Sequence, residues 1–231
     1  MSRQRRTAPR DVLGVLLREH GRTYAAEAGI RLRNTPQPLY RTLVLALLLG
    51  ARIRASVAVA TARALYDAGL RDPRRMADAP RQRRVDALGA GGYRRYDERT
   101  ATRLGDGARL VLGEFGGDLR TLRERADGDP DALRALLRRM PGIGATGSAV
   151  FLREVQDVWP EYAPFLDPKA LGGAERLGLP TDPDALVRLA GDASPGVLAA
   201  ALVRAALDQR VVDDCLDRAH GARRPDGGAA R

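Results

Sequence analysis

The stretch Met140-Pro141-Gly142-Ile143-Gly144 offers chemistry through its backbone rather than through side chains. Glycines at 142 and 144 permit positive φ and let bare amides approach an anion, at the positive end of the next helix dipole. An apolar, arginine-bearing helix, Asp131–Arg139, runs into this turn, and a second helix, Ala149–Val158, runs out of it. Two helices joined by a tight Gly-x-Gly turn form a helix-hairpin-helix, with Gly142, Ile143 and Gly144 as its candidate phosphate donors. A loop then ends at Asp167-Pro168, where Asp suits an N-cap and Pro the first helical position. Lys169, the only lysine in the chain, stands two positions beyond Asp167. The plainer alternatives are an ordinary helix connection for the glycine turn and a simple cap for Asp167.

The order of Leu/Met-Pro-Gly-Ile-Gly, helix, loop and Asp resembles the helix-hairpin-helix DNA glycosylases related to endonuclease III, over roughly residues 38–171. That resemblance implies an all-α fold of two helical domains flanking a cleft. A six-helix barrel with the hairpin would span 36–158, and 1–35 would join 159–225 in the second domain. It implies further that the hairpin grips the backbone of double-stranded DNA, that a monovalent cation assists there, and that Asp167 is the catalytic carboxylate. Excision breaks an N-glycosidic bond through a cation-like sugar, which a carboxylate can stabilise while it activates water. The target base must first leave the duplex stack.

The chain departs from the family pattern at named positions. Bifunctional members carry a lysine two residues after the second hairpin glycine, and that position is Thr146, which forms no Schiff base. The implied activity is therefore a monofunctional glycosylase, with Lys169 as the candidate for an alternative abasic-site lyase. Where relatives have Leu-x-x-Gln, the Gln filling the hole left by the extruded base, this chain has Leu49-Gly50-Ala51-Arg52. Arg52 is thus the plugging candidate, against the alternative of a surface arginine. Tyr93 and Tyr96 are candidates for the base pocket, with packing as the alternative for a tyrosine at a helix start. Trp159, Tyr162 and Phe165 either stack a base or wedge the loop. A non-catalytic DNA-binding module that keeps only the hairpin is the rival from another class.

Cysteine usage excludes some relatives' chemistry. Cys215 is the only cysteine, so neither an intrachain disulfide nor the four-cysteine iron–sulfur cluster of many relatives is possible. His20 and His220 sit near the ends without metal-ligand spacing, so no protein-bound metal is expected.

The formal charge of +10 is unevenly placed. Residues 1–10 carry four arginines and no acid, and residues 218–231 carry four against one. Within the body, 71–103 has ten arginines against five acids, and 133–154 has four against one. Residues 175–217 reverse the balance, with four arginines against eight acids. Basic density around the hairpin and mid-chain suits a phosphate-binding footprint, although for 71–103 alone a solvated helix face is the better account.

Ala, Leu, Arg and Gly dominate and β-branched residues are scattered, which predicts helices throughout. Expected helices are Pro9–Ala28 (one or two pieces), Pro38–Leu49, Ala55–Ala68, Asp72–Ala79, Arg81–Ala87 and Tyr93–Gly116 with a soft point at Gly105. After the hairpin come Ala170–Leu177, Asp182–Ala190 and a last helix, Gly196–Ala219. Residues 1–8 and the Gly/Arg tail read as disordered. The apolar run Leu43–Gly50 is too short for a membrane span, and no signal-type run follows the N-terminus. A cytoplasmic, nucleoid-associated monomer without membrane contact is the expectation.

Overall fold

Proline sets half of the α-helix starts among the described residues. At Pro73, Pro130, Pro168, Pro183 and Pro195 the preceding residue (Asp72, Asp129, Asp167, Asp182 or Ser194) accepts a backbone N–H of the first turn. Proline has no amide to leave unsatisfied there, and its fixed φ already matches the helix. The computed structural model describes residues 8–94 and 96–221, and it is all-α with no strand among the described residues. The stretches read as disordered lie outside the described residues, except for Ala8.

The chain divides into two compact units, one of residues through Thr23 with those from Pro164 onward, the other Tyr24–Ala163. Helix α1 (Pro9–His20) opens the first unit. The second begins with α2 (Tyr24–Glu27), α3 (Pro36–Leu49) and α4 (Ala55–Asp67). It continues with α5 (Pro73–Asp78), α6 (Arg81–Ala90) and α7 (Asp97–Phe115). It ends with α8 (Arg120–Ala126), α9 (Pro130–Arg138) and α10 (Ala145–Val155). The first unit resumes with α11 (Pro168–Arg176), α12 (Pro183–Ala190), α13 (Pro195–Leu207) and α14 (Gln209–Gly221).

In the unit Tyr24–Ala163, the apolar helix α3 packs on α4 and α10, while α5 and α6 pack on α7. Arg84 ties three of these helices together. Its buried guanidinium donates to the carbonyls of Ala101 (2.8 Å), Met76 (2.8 Å) and Ala79 (2.7 Å). Burial lowers its pKa, and the three carbonyls answer the desolvation with hydrogen bonds. Trp159 is fully buried edge-on to Phe151, and its indole N–H donates to Asn34 Oδ1 at 2.9 Å. In the other unit, α11 lies along α13 so closely that a Cβ on Gly173 would fall 1.9 Å from the Leu202 carbonyl oxygen.

Several boundaries differ from the sequence expectation for local reasons. Pro9–Ala28 is two helices, broken at Gly21. The hairpin's second helix starts at Ala145 rather than Ala149, directly after Gly144, and ends at Val155. The long helix begins at Asp97 rather than Tyr93, because the Tyr93 amide returns to the Leu88 carbonyl and Tyr96 takes a left-handed φ of 64°. Gly105 is no soft point, since the space of its missing side chain is filled by the Arg84 guanidinium. The expected last helix is two, α13 and α14. Asp208 between them is extended, and its carboxylate accepts the Arg210 N–H at 3.0 Å.

Candidate nucleic-acid interface

Helix α9 buries Leu133 and Leu137, while its chain direction is set by Asp129, which accepts the Asp131 N–H at 2.8 Å. The turn that follows is anchored by two apolar side chains, Met140 (2% exposed) and Ile143 (5% exposed). They line a small cleft with Tyr40, Leu43, Leu47 and Leu104. Gly142 sits at φ +93°, a region where an L side chain is strained. A Cβ on it would also stand 3.1 Å from Leu47 Cδ1 and 3.2 Å from Arg103 Cδ. The backbone therefore requires glycine at 142, and a side chain there would also make Leu47 and Arg103 give way by a few tenths of an ångström.

The backbone donors of this turn divide into two groups. The Ile143 N–H donates to the Met140 carbonyl at 3.0 Å, so it is engaged within the turn. The amides of Gly142, Gly144, Ala145 and Thr146 make no hydrogen bond to another described residue, and all four residues are exposed. Gly144 is the extended N-cap of α10, whose dipole adds to these donors. The arrangement can bind an anion through three or four main-chain N–H groups. The carbonyls of Pro141, Gly142 and Ile143 likewise accept no backbone hydrogen bond from described residues. Oxygens of this kind suit a hard cation.

Arg52 lies on the loop after α3, exposed and without an ion pair among the described residues. Its segment is brought to the hairpin by Gly50, which abuts Gly147 in the first turn of α10. Thr146 is exposed on that same turn. Gly142, Gly144, Thr146 and the Arg52 loop thus gather at one end of α3 and α10.

Asp167 belongs to the other unit, as the N-cap of α11. Its Oδ1 accepts the Ala170 N–H at 3.1 Å, and its carbonyl accepts the Leu171 N–H at 3.0 Å. Asp167 as a residue is partly buried. Lys169 is exposed in the first turn of α11.

The two tyrosines separate. Tyr93 is buried, with its hydroxyl accepting from Thr100 Oγ1 at 3.0 Å, which is a packing role. Tyr96 is 61% exposed in a left-handed conformation. Trp159 and Tyr162 are buried within the core of Tyr24–Ala163, while Phe165 is partly exposed. Among the described residues no three His, Cys, Asp or Glu side chains gather as a metal site.

One contact escaped sequence reasoning. Arg103 on α7 reaches the hairpin cleft, whereas the sequence presents it only as one arginine of a basic stretch. Its helical spacing from Tyr96 was the available signal. No protein-family model matches the sequence, and no curated protein matches it significantly.

Proposed function

We propose that this protein is a DNA glycosylase of base-excision repair that lacks an iron–sulfur cluster. It acts as a cytoplasmic monomer on double-stranded DNA and removes a damaged or mismatched base. The observation that carries the reading is the glycine turn before α10, with Gly142 at φ +93° and exposed amides at Gly142, Gly144, Ala145 and Thr146. In this reading the hairpin holds a DNA phosphate, helped by a monovalent cation on the turn carbonyls. Tyr24–Ala163 then contains the six-helix barrel, and the catalytic carboxylate belongs to the other unit.

Chemistry falls to Asp167. The C1′–N bond breaks, the base departs with its electron pair, and the carboxylate stabilises the sugar cation while it takes a proton from the attacking water. A cap-bonded carboxylate suits this role because the first turn of α11 holds it in place. Arg52 fills the gap left by the flipped base.

The test is a panel of duplexes, each with one lesion or mismatch, incubated with protein and then treated with alkali. Strand scission at one member, absent with Asp167→Asn, is the expected result. Equal behaviour of wild type and Asp167→Asn on every duplex rejects catalysis. A second reading, a DNA-binding module without activity, is favoured by Thr146 and Arg52, which replace the family's lysine and glutamine. It predicts salt-dependent duplex binding with no preference for an abasic analogue.

A further inference from the structure

Helix α7 presents a stripe that the hairpin does not account for. Arg99, Arg103 and Gly107 follow one another at four-residue spacings, which puts them on one face, and Tyr96 stands just before the first turn as the left-handed N-cap. One end of that face meets the hairpin. Arg103 and Gly107 line the same cleft as Pro141 and Ile143, and the Arg103 stem runs along the bare side of Gly142.

The charges on this face are unmatched. Neither Arg99 nor Arg103 forms an ion pair among the described residues. Neighbouring acids of α7 are engaged by other arginines, Glu98 by Arg81 at 2.8 Å and Asp106 by Arg109 at 2.5 Å. At the far end, Tyr96 is 61% exposed at φ 64°, a conformation that tyrosine rarely adopts. Two cations in line with an exposed ring are the composition of a surface that follows a nucleic-acid strand.

We infer that this stripe extends the hairpin site as a track for one DNA strand. Phosphates sit on Arg103 and Arg99, and an unstacked base lies against Tyr96. The inference rests on the hairpin reading above and names further residues that contact the strand. At 1.5 Å rise per residue the two arginines are about 6 Å apart along the axis, comparable to one or two axial steps of a DNA strand.

Anisotropy of a short labelled duplex, fully paired or with a single bulged base, titrated with full-length protein over a salt series, tests this. Arg99→Gln and Arg103→Gln should each reduce the slope of log affinity against log salt by about 1, and the double variant by about 2. Arg103→Lys should restore the slope, and Arg109→Gln should leave it unchanged. Tyr96→Ala should weaken binding to the bulged duplex roughly tenfold without changing the slope, while Tyr96→Phe binds as wild type. Wild-type slopes in both Arg→Gln variants, with Gly142→Ala still weakening binding, overturn the track and leave the hairpin reading standing. A Tyr96→Ala variant that binds the bulged duplex normally removes the base contact. Absence of salt-dependent duplex binding by the wild type overturns the hairpin reading, and the track with it.

Discussion

A Cβ placed on Gly50 would stand 3.1 Å from both the backbone nitrogen and the Cα of Gly147. The end of α3 and the first turn of α10 therefore meet through two residues without side chains. Gly50 itself is in the right-handed helical region, so alanine there is not strained by its own backbone. What it meets is backbone, which cannot rotate away. Gly50→Ala should destabilise the protein by about 1–3 kcal/mol through overpacking, measured by chemical denaturation. On the proposed reading duplex affinity should fall with it, because the helix whose first-turn amides would hold the phosphate is displaced.

Asp167 has a capping role that can be separated from chemistry. Asparagine caps about as well as aspartate, so Asp167→Asn should keep stability within a few tenths of a kcal/mol, while Asp167→Ala costs about 0.5–2 kcal/mol. Excision should be lost in both. Thermal melts alongside the lesion assay read the two roles independently, and retention of excision by Asp167→Asn removes the carboxylate from the reaction.

Glu154 is the acceptor that the short helix α2 depends on. Its buried carboxylate accepts the Tyr24 N–H at 3.2 Å and the Ala25 N–H at 2.8 Å. Glu154→Ala strands two buried amides and should cost about 2–4 kcal/mol in denaturant unfolding. Glu154→Gln, which keeps one carbonyl oxygen, should lose less.

Cys215 gives a prediction in pH. Burial pushes its thiol up to about 11. An unfolded thiol titrates near about 8.5, so its contribution to stability is fully present below that pH. As pH rises toward 11 the unfolded chain loses the proton first, and the contribution declines. The stability difference between wild type and Cys215→Ala should therefore shift against the wild type across that window. Native protein should resist thiol alkylation at neutral pH and react once unfolded.

Much of the helical order was legible because Asp-Pro and Ser-Pro pairs announce their own starts. Asp72, Asp129, Asp167 and Ser194 each accept a first-turn amide where the sequence places a cap. The glycine turn was legible for the same reason, since Gly142 does adopt positive φ. Interactions between distant residues were not. Nothing near Gly105 indicates that a guanidinium from Arg84 occupies its side-chain space. Nothing in the apolar run of α13 forewarns that Asp208 ends it and begins the next helix. The engagement of the Ile143 amide by Met140 is likewise a property of the closed turn rather than of residue type.

The hairpin turn hides its large apolar side chains, Met140 and Ile143, and turns the amides of Gly142 and Gly144 outward. A grip of that kind is indifferent to base order, because phosphates are the same at every step of a duplex. On the proposed reading it would let the protein scan long tracts without pausing at any particular word, and leave discrimination to whatever inspects a base once it has been drawn out. Changes in target preference can then evolve elsewhere in the chain without disturbing how the duplex is held.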